Sequence, residues 1–188
     1  MLRDEVNKAL EVIQQGGIIL YPTDTIWGIG CDATNTEAIK KIYQLKQRDE
    51  AKSMLILVDT ENKLESYIRE VPAIAYELIE YAENPMTLVM PGAKNISPAL
   101  ISADGSVGIR VTSHPFCQQL IQRLRKPLVS TSANISGQPS PQNFAQVSEE
   151  IKTGVDYVVN LEQDNRSAKK PSTIMRLEPD GRFEFLRR

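Results

Sequence analysis

Apolar positions along the chain fall into short continuous runs, set between longer stretches with helical spacing. Val6, Leu10 and Ile13 share one helical face, and Gly16-Gly17 follows as a stop. "GIILY", bounded by glycine and proline, then predicts a buried strand. In "TNTEAIKKIYQLK" a Thr or Asn cap precedes Ala38, Ile39, Ile42 and Leu45 on one helical face. "MLILV" (54–58) predicts a second buried strand, and helices follow around 63–68 and 72–82. "MTLVM" and "VGIRV" read as strands. "HPFCQQLIQRLRK" reads as a helix that turns Phe116, Leu120, Ile121 and Leu124 inward, and "PLVST" as another strand. "SANISGQPSPQ" is a loop and "FAQVSEEIK" a helix. "YVVNL", "TIMRL" and "RFEFL" close the chain as strands, the last two joined by a Pro-Asp-Gly turn.

Apolar strands alternating with helices predict an α/β sheet covered on its faces, and the terminal hairpin makes that sheet mixed. At 188 residues, with no repeat, low-complexity tract or linker, the chain is expected to form one domain over residues 1–188. Its most polar stretch, 161–172 ("LEQDNRSAKKPS"), is the candidate flexible loop.

Composition narrows the function. The net charge of −2 provides no global attraction to nucleic acid or to a membrane surface. The balance is local: from Arg166 onward, Arg166, Lys169, Lys170, Arg176, Arg182, Arg187 and Arg188 face only Glu178, Asp180 and Glu184. Cys31 and Cys117 have no metal-type spacing and read as free buried thiols of a reducing compartment. No apolar run reaches membrane-spanning length, and the charged N-terminal stretch is unlike a secretory signal; a cytoplasmic protein is expected.

Candidate chemistry begins with absences. There is no Walker A lysine and no dinucleotide glycine fingerprint. The single histidine, His114, precedes Pro115 as a helix-start residue, so a Ser-His-Asp or Cys-His mechanism is disfavoured. Lys46 and Arg48, two apart, share a side if the chain is extended there, and together would grip a polyphosphate; a solvated helix end is the equal alternative. Ser130, Thr131, Ser132 and Asn134 emerge at the end of an apolar strand, where α/β sheets bind ligands, although the same residues form turns. Thr23 and Thr25 either cap the next segment or bind ligand. Arg110 interrupts an apolar strand and needs a partner, either an internal aspartate or a ligand anion.

Taken in order, "YPTDTIWGIGCDATN", "KKIYQLKQR", "MLILV", "VGIRVTSHP", "PLVSTSANISGQPSP" and "PSTI" resemble the YrdC-like family of threonylcarbamoyl-AMP synthases. The resemblance runs from near residue 17 to the end and suits the short stand-alone bacterial type. It implies a twisted open α/β sheet of YrdC-like (DHBP-synthase-like) fold with a concave basic surface. It also implies a nucleotidyltransferase that makes L-threonylcarbamoyladenylate from L-threonine, bicarbonate and ATP, with Mg2+ accompanying the nucleotide and pyrophosphate released. A transferase complex would then carry the group to adenosine 37 of tRNAs reading ANN codons, giving t6A. The alternative is an RNA-binding or ribosome-maturation module using the same surface, and direct tRNA contact is compatible with either.

Carried over residue by residue, the resemblance assigns Thr25, Arg110, Ser132 and Ser172 to threonine, with Arg110 taking its carboxylate. Lys46, Arg48, Lys52, Ser130, Asn134, Ser140 and Arg187 fall to the nucleotide, and Lys46 and Arg48 stabilise the reacting phosphates. Asp24 is a candidate to position magnesium indirectly, Leu57 to pack the substrate methyl, and the 161–172 loop to act as a lid over labile intermediates. Departures are Asp49 after the Lys-x-Arg pair, Thr112 after "VGIRV", and "ENPMTLVMPG", which keeps only Pro85 and Thr87 of a Pro-Gly-Pro-x-Thr stretch.

Overall fold

The computed structural model describes residues 1–49 and 54–188. Among them, nine strands form one mixed sheet: β1 (Ile19–Tyr21), β2 (Gly28–Gly30), β3 (Leu55–Val58), β4 (Met86–Met90), β5 (Val107–Val111), β6 (Leu128–Ser132), β7 (Tyr157–Val158), β8 (Thr173–Leu177) and β9 (Phe183–Arg187). Their order across the sheet is β7-β1-β2-β6-β3-β5-β4-β8-β9. The pairs β1–β7, β3–β5 and β4–β8 are parallel; the others are antiparallel. The helices are α1 (Leu2–Gln14), α2 (Thr36–Lys46), α3 (Leu64–Tyr67), α4 (Ile74–Glu80), α5 (Pro115–Leu124) and α6 (Glu149–Gly154).

Local chemistry explains the longer helices. Asn35 caps α2 by accepting from the Ala38 amide at 3.1 Å, and the helix buries Ala38, Ile39, Ile42 and Tyr43. It ends where Gln47 turns left-handed. Pro115 opens α5, which buries Phe116, Leu120, Ile121 and Leu124 as expected, and a left-handed Arg125 closes it.

Two apolar clusters lie on opposite faces of the sheet. One gathers Ile29, Ile56, Val58, Leu88, Ile109, Val129 and Met175 beneath Ile39 and Ile42 of α2, Leu64 of α3 and Ile151 of α6. The other sets Ile19, Tyr21, Leu57 and Leu128 against Val6 and Ile13 of α1 and Phe116 and Leu120 of α5. The helices α1 and α5 reach across only the β1–β3 side. Beyond them, the same face is left open over β5, β4 and β8.

The structure revises three sequence expectations. The "FAQVSEEIK" helix divides into a 3-10 turn at Phe144–Gln146 and the short α6, whose cap Ser148 accepts from the Ile151 amide. "YVVNL" contributes only two residues of strand. Conversely, "GIG" is a strand the hydrophobic pattern concealed. Glycine is required there because a Cβ on Gly30 would stand 2.1 Å from the Val129 carbonyl oxygen. Cys31 and Cys117 are free and buried, as expected.

Candidate functional site

The open half of the sheet forms a cleft of about 220 Å³. Strand alternation supplies its floor. On β5, Val107 and Ile109 enter the core while Gly108 and Arg110 face the cleft; on β4, Leu88 and Met90 enter the core while Thr87 and Val89 face it. Ser130 and Ser132 of β6 and Ile174 of β8 line it in the same way. Thr25, Ile26 and Trp27 form one wall, Ser140 and Arg48 another, and Ser172 and Arg187 close the far side. The cleft thus carries hydroxyls and three arginines on a partly apolar floor.

A β-bulge delivers the last arginine. Met175 pairs with Phe185 but Ile174 pairs with Arg187, so Leu186 is an extra residue in β9. The shift puts Arg187 beside Ile174 on the cleft face, where its Nε donates to the Ser172 carbonyl at 2.9 Å. Burial lowers its pKa and the charge of Arg110 lowers it further. Burial likewise lowers that of Arg48.

Arg110 is 3% exposed, with Nη2 3.1 Å from Asp24 Oδ1. Its Nε is buried and has no hydrogen-bond partner. The internal aspartate left open by the sequence therefore exists, and a donor remains beside it. Asp24 itself does not line the cleft. It borders a second hollow with Glu83, Asn84, Met86 and Ser113. The two threonines are placed differently. Thr23 Oγ1 donates to the Ile26 carbonyl and accepts from the Thr25 amide, building the turn that presents Thr25 to the cleft. Thr25 Oγ1 lies 3.0 Å from Thr23 Oγ1.

Lys46 departs from expectation. The chain there is not extended: Lys46 ends α2, and left-handed Gln47 separates it from Arg48. Lys46 is 1% exposed, and its Nζ donates to the carbonyls of Ser132 at 2.5 Å and Asn134 at 2.6 Å. Burial, followed by the charge of Arg48, pushes its pKa down to about 7. Arg48 reaches the cleft wall; Lys46 stands behind it and holds the β6 turn.

A family model named for Sua5, YciO and YrdC, and described as telomere recombination, matches residues 11–188. The chain belongs to the Sua5/YciO/YrdC family. Curated members similar to it are the threonylcarbamoyl-AMP synthases of Pseudoalteromonas translucida, 34% identical over 90% of this chain and 91% of that protein, and of Vibrio campbellii, 34% identical over 89% and 91%. Among solved structures, Sua5 of P. abyssi complexed with L-threonine superposes with a TM-score of 0.82 at 25% identity, covering 94% of this chain. The present chain spans 52% of that longer one. E. coli YciO shares the fold, with a TM-score of 0.85 at 24% identity over 100% of this chain and 89% of its own.

Within this Sua5/YciO/YrdC domain, Thr25, Arg48, Arg110, Ser130, Ser132, Ser140, Ser172 and Arg187 all line one cleft. Asn134 does not; its Nδ2 is bonded to the carbonyls of Ile135 and Gln138 within its own turn. Lys52 lies outside the described residues. Leu57, expected against the substrate methyl, is fully buried under α5; Leu55, Val89 and Ile174 are among the aliphatic groups that reach the cleft. Thr87 was not assigned a contact. It sits on the floor, 2.8 Å from the Ser172 hydroxyl; its place in the surviving Pro-x-Thr fragment was the available signal.

The 161–172 loop ends in the cleft at Pro171–Ser172. Glu162 joins His114 Nε2 at 2.8 Å and Lys169 Nζ at 3.1 Å, and Lys169 also donates to the Thr23 carbonyl. His114 occupies the cap position of α5, in keeping with a structural role.

Proposed function

We propose that this protein is an L-threonylcarbamoyladenylate synthase, forming threonylcarbamoyl-AMP from L-threonine, bicarbonate and ATP with release of pyrophosphate. The observation carrying the reading is the meeting, in one cleft, of Arg48, Arg110 and Arg187 with the hydroxyls of Thr25, Ser132 and Ser172. Family membership and the naming of curated relatives as threonylcarbamoyl-AMP synthases support it. So does the likeness to a Sua5 structure complexed with L-threonine.

The chemistry needs no side-chain nucleophile. The threonine amine adds to bicarbonate and water leaves, giving a carbamate; one carbamate oxygen attacks the α-phosphate of ATP, and the bond to pyrophosphate breaks. Positioning and charge neutralisation lower the barrier. Arg110 takes the threonine carboxylate, and Arg48 and Arg187 face the nucleotide. Ser132 lies between them, and Ser130 and Ser140 line the nucleotide side. Lys46 acts through the Ser132 carbonyl. Magnesium would accompany ATP and neutralise its phosphates, keeping mainly water and phosphate ligands; among the described residues no three His, Cys, Asp or Glu groups gather into a metal site. Asp24 faces Arg110. The 161–172 loop covers the labile mixed anhydride, which then passes to the transferase acting on tRNA. No described helix is long and apolar enough to cross a membrane, and the reaction is assigned to the cytoplasm.

Mass spectrometry of the products formed from ATP, L-threonine and bicarbonate tests the reading. The adenylate should appear only with all three substrates; ATP left intact in the complete mixture would overturn it.

A further inference from the structure

The cleft has to sort two anions. A carboxylate carries one negative charge and a polyphosphate several, and simple attraction to arginine favours the phosphate. Yet under the reading above Arg110 must remain available to the carboxylate. Arg187, on the same face, is close enough for the charge of Arg110 to lower its pKa, and its observed hydrogen bonds go to the neutral Ser172. Arg110 instead stands against a carboxylate. Asp24 and Arg110 are 8% and 3% exposed, and Asp24 lies outside the cleft lining, on the side of the second hollow.

An anion entering the cleft at Arg110 therefore meets a guanidinium whose charge is already largely balanced from behind. Its Nε, buried and without a hydrogen-bond partner, is a donor that the ion pair leaves unbonded. A carboxylate meets the repulsion of Asp24 with one charge. A phosphate dianion meets it with two, in a buried place where little water screens it. Repulsion built against the wrong ligand is a recognised route to specificity.

We propose that Asp24 is a specificity-determining residue, which reserves Arg110 for a monoanionic carboxylate and turns phosphate groups away to the other arginines of the cleft. The inference rests on the assignment of Arg110 to the threonine carboxylate. It makes Asp24 a charge filter, where sequence reading had suggested a magnesium-positioning role.

Inorganic phosphate is the probe, with pyrophosphate release as the readout. In the wild-type enzyme, phosphate should raise KM for ATP and leave KM for L-threonine unchanged. In Asp24→Asn, which keeps the side-chain shape but no charge, phosphate should become competitive with L-threonine. Its inhibition constant against threonine should fall at least about tenfold, because like-charge contact costs more than that in affinity. Phosphate competing with threonine in the wild type would overturn the proposal without any variant. The same phosphate pattern in Asp24→Asn as in the wild type would overturn it too, and Asp24→Ser carries the test if Asp24→Asn does not fold. Arg110→Leu separates this inference from the reading beneath it. If that variant binds threonine as well as the wild type, the carboxylate assignment fails. If it loses threonine while Asp24→Asn leaves the phosphate pattern unchanged, only the filter fails.

Discussion

Lys46 Nζ reaches the carbonyl oxygen of Ser132 at 2.5 Å, joining the end of α2 to the end of β6 across 86 positions of sequence. The bond fixes the strand end that presents Ser132 to the cleft, and the Ser136 amide returns to the Lys46 carbonyl at 2.8 Å. A buried ammonium held by two carbonyls beside Arg48 has a measurable signature in pH. Its folded pKa, about 7, lies below the ordinary 10.5, so between those values the unfolded chain binds more protons than the native one. The stability contribution of Lys46 therefore improves as pH rises from about 7 and is least favourable below it. Lys46→Met should compare best with the wild type near pH 6 and lose ground towards pH 9. At the higher pH the two stranded carbonyls leave a deficit of about 1–3 kcal/mol. Urea unfolding at both pH values checks this; an equal difference at both would show that the charge is not suppressed by burial.

Arg48 is a separate case, because its side chain reaches the cleft. Arg48→Ala should keep the circular dichroism of the wild type and lose adenylate formation. A charge-assisted phosphate contact is worth about 1.5–3 kcal/mol, so ATP affinity should fall about 10- to 150-fold. Wild-type turnover in the variant would remove Arg48 from the nucleotide site.

Thr87 orients Ser172. Their hydroxyls lie 2.8 Å apart and both residues are at most 3% exposed. Thr87→Val keeps the shape and leaves the Ser172 hydroxyl without that partner. A destabilisation of about 1 kcal/mol is expected. KM for L-threonine should rise while KM for ATP stays, which steady-state kinetics with each substrate varied would reveal. An equal rise in both would make Thr87 a general packing residue.

The hydroxyl groups of Thr25, Ser132 and Ser172 beside Leu55, Val89 and Ile174 imply unequal treatment of two analogues. L-Serine lacks only the methyl group, worth about 10- to 200-fold in a hydrophobic pocket. L-Valine fills the space but leaves buried polar groups unpaired, a penalty reaching about 10⁴-fold. Pyrophosphate release at saturating ATP and bicarbonate should therefore be weak with serine and near background with valine. Valine turning over as well as serine would show that these hydroxyls do not read the substrate.

The periodic and punctuated parts of this protein were legible in its sequence. Helices α2 and α5 announce themselves through apolar spacing, caps and stops, because a helix satisfies its backbone locally. The ordered motifs placed Thr25, Arg48, Ser132, Ser172 and Arg187 on the list of candidates. Three things were decided only by tertiary structure. "MTLVM" and "VGIRV" read as strands, but that their alternate residues face a cleft follows from α1 and α5 covering only part of one sheet face. The strand "GIG" has no apolar signature, since its glycines answer to the backbone of β6, which comes a hundred residues later. The partners of the cations were also hidden. Lys46 looks like a solvated helix end until the turn after β6 folds over it, and Arg110 like a lone charge until Asp24 arrives from another loop. Sequence spacing carries the geometry of neighbours along the chain, while charge pairing and burial depend on which distant segments the sheet brings together.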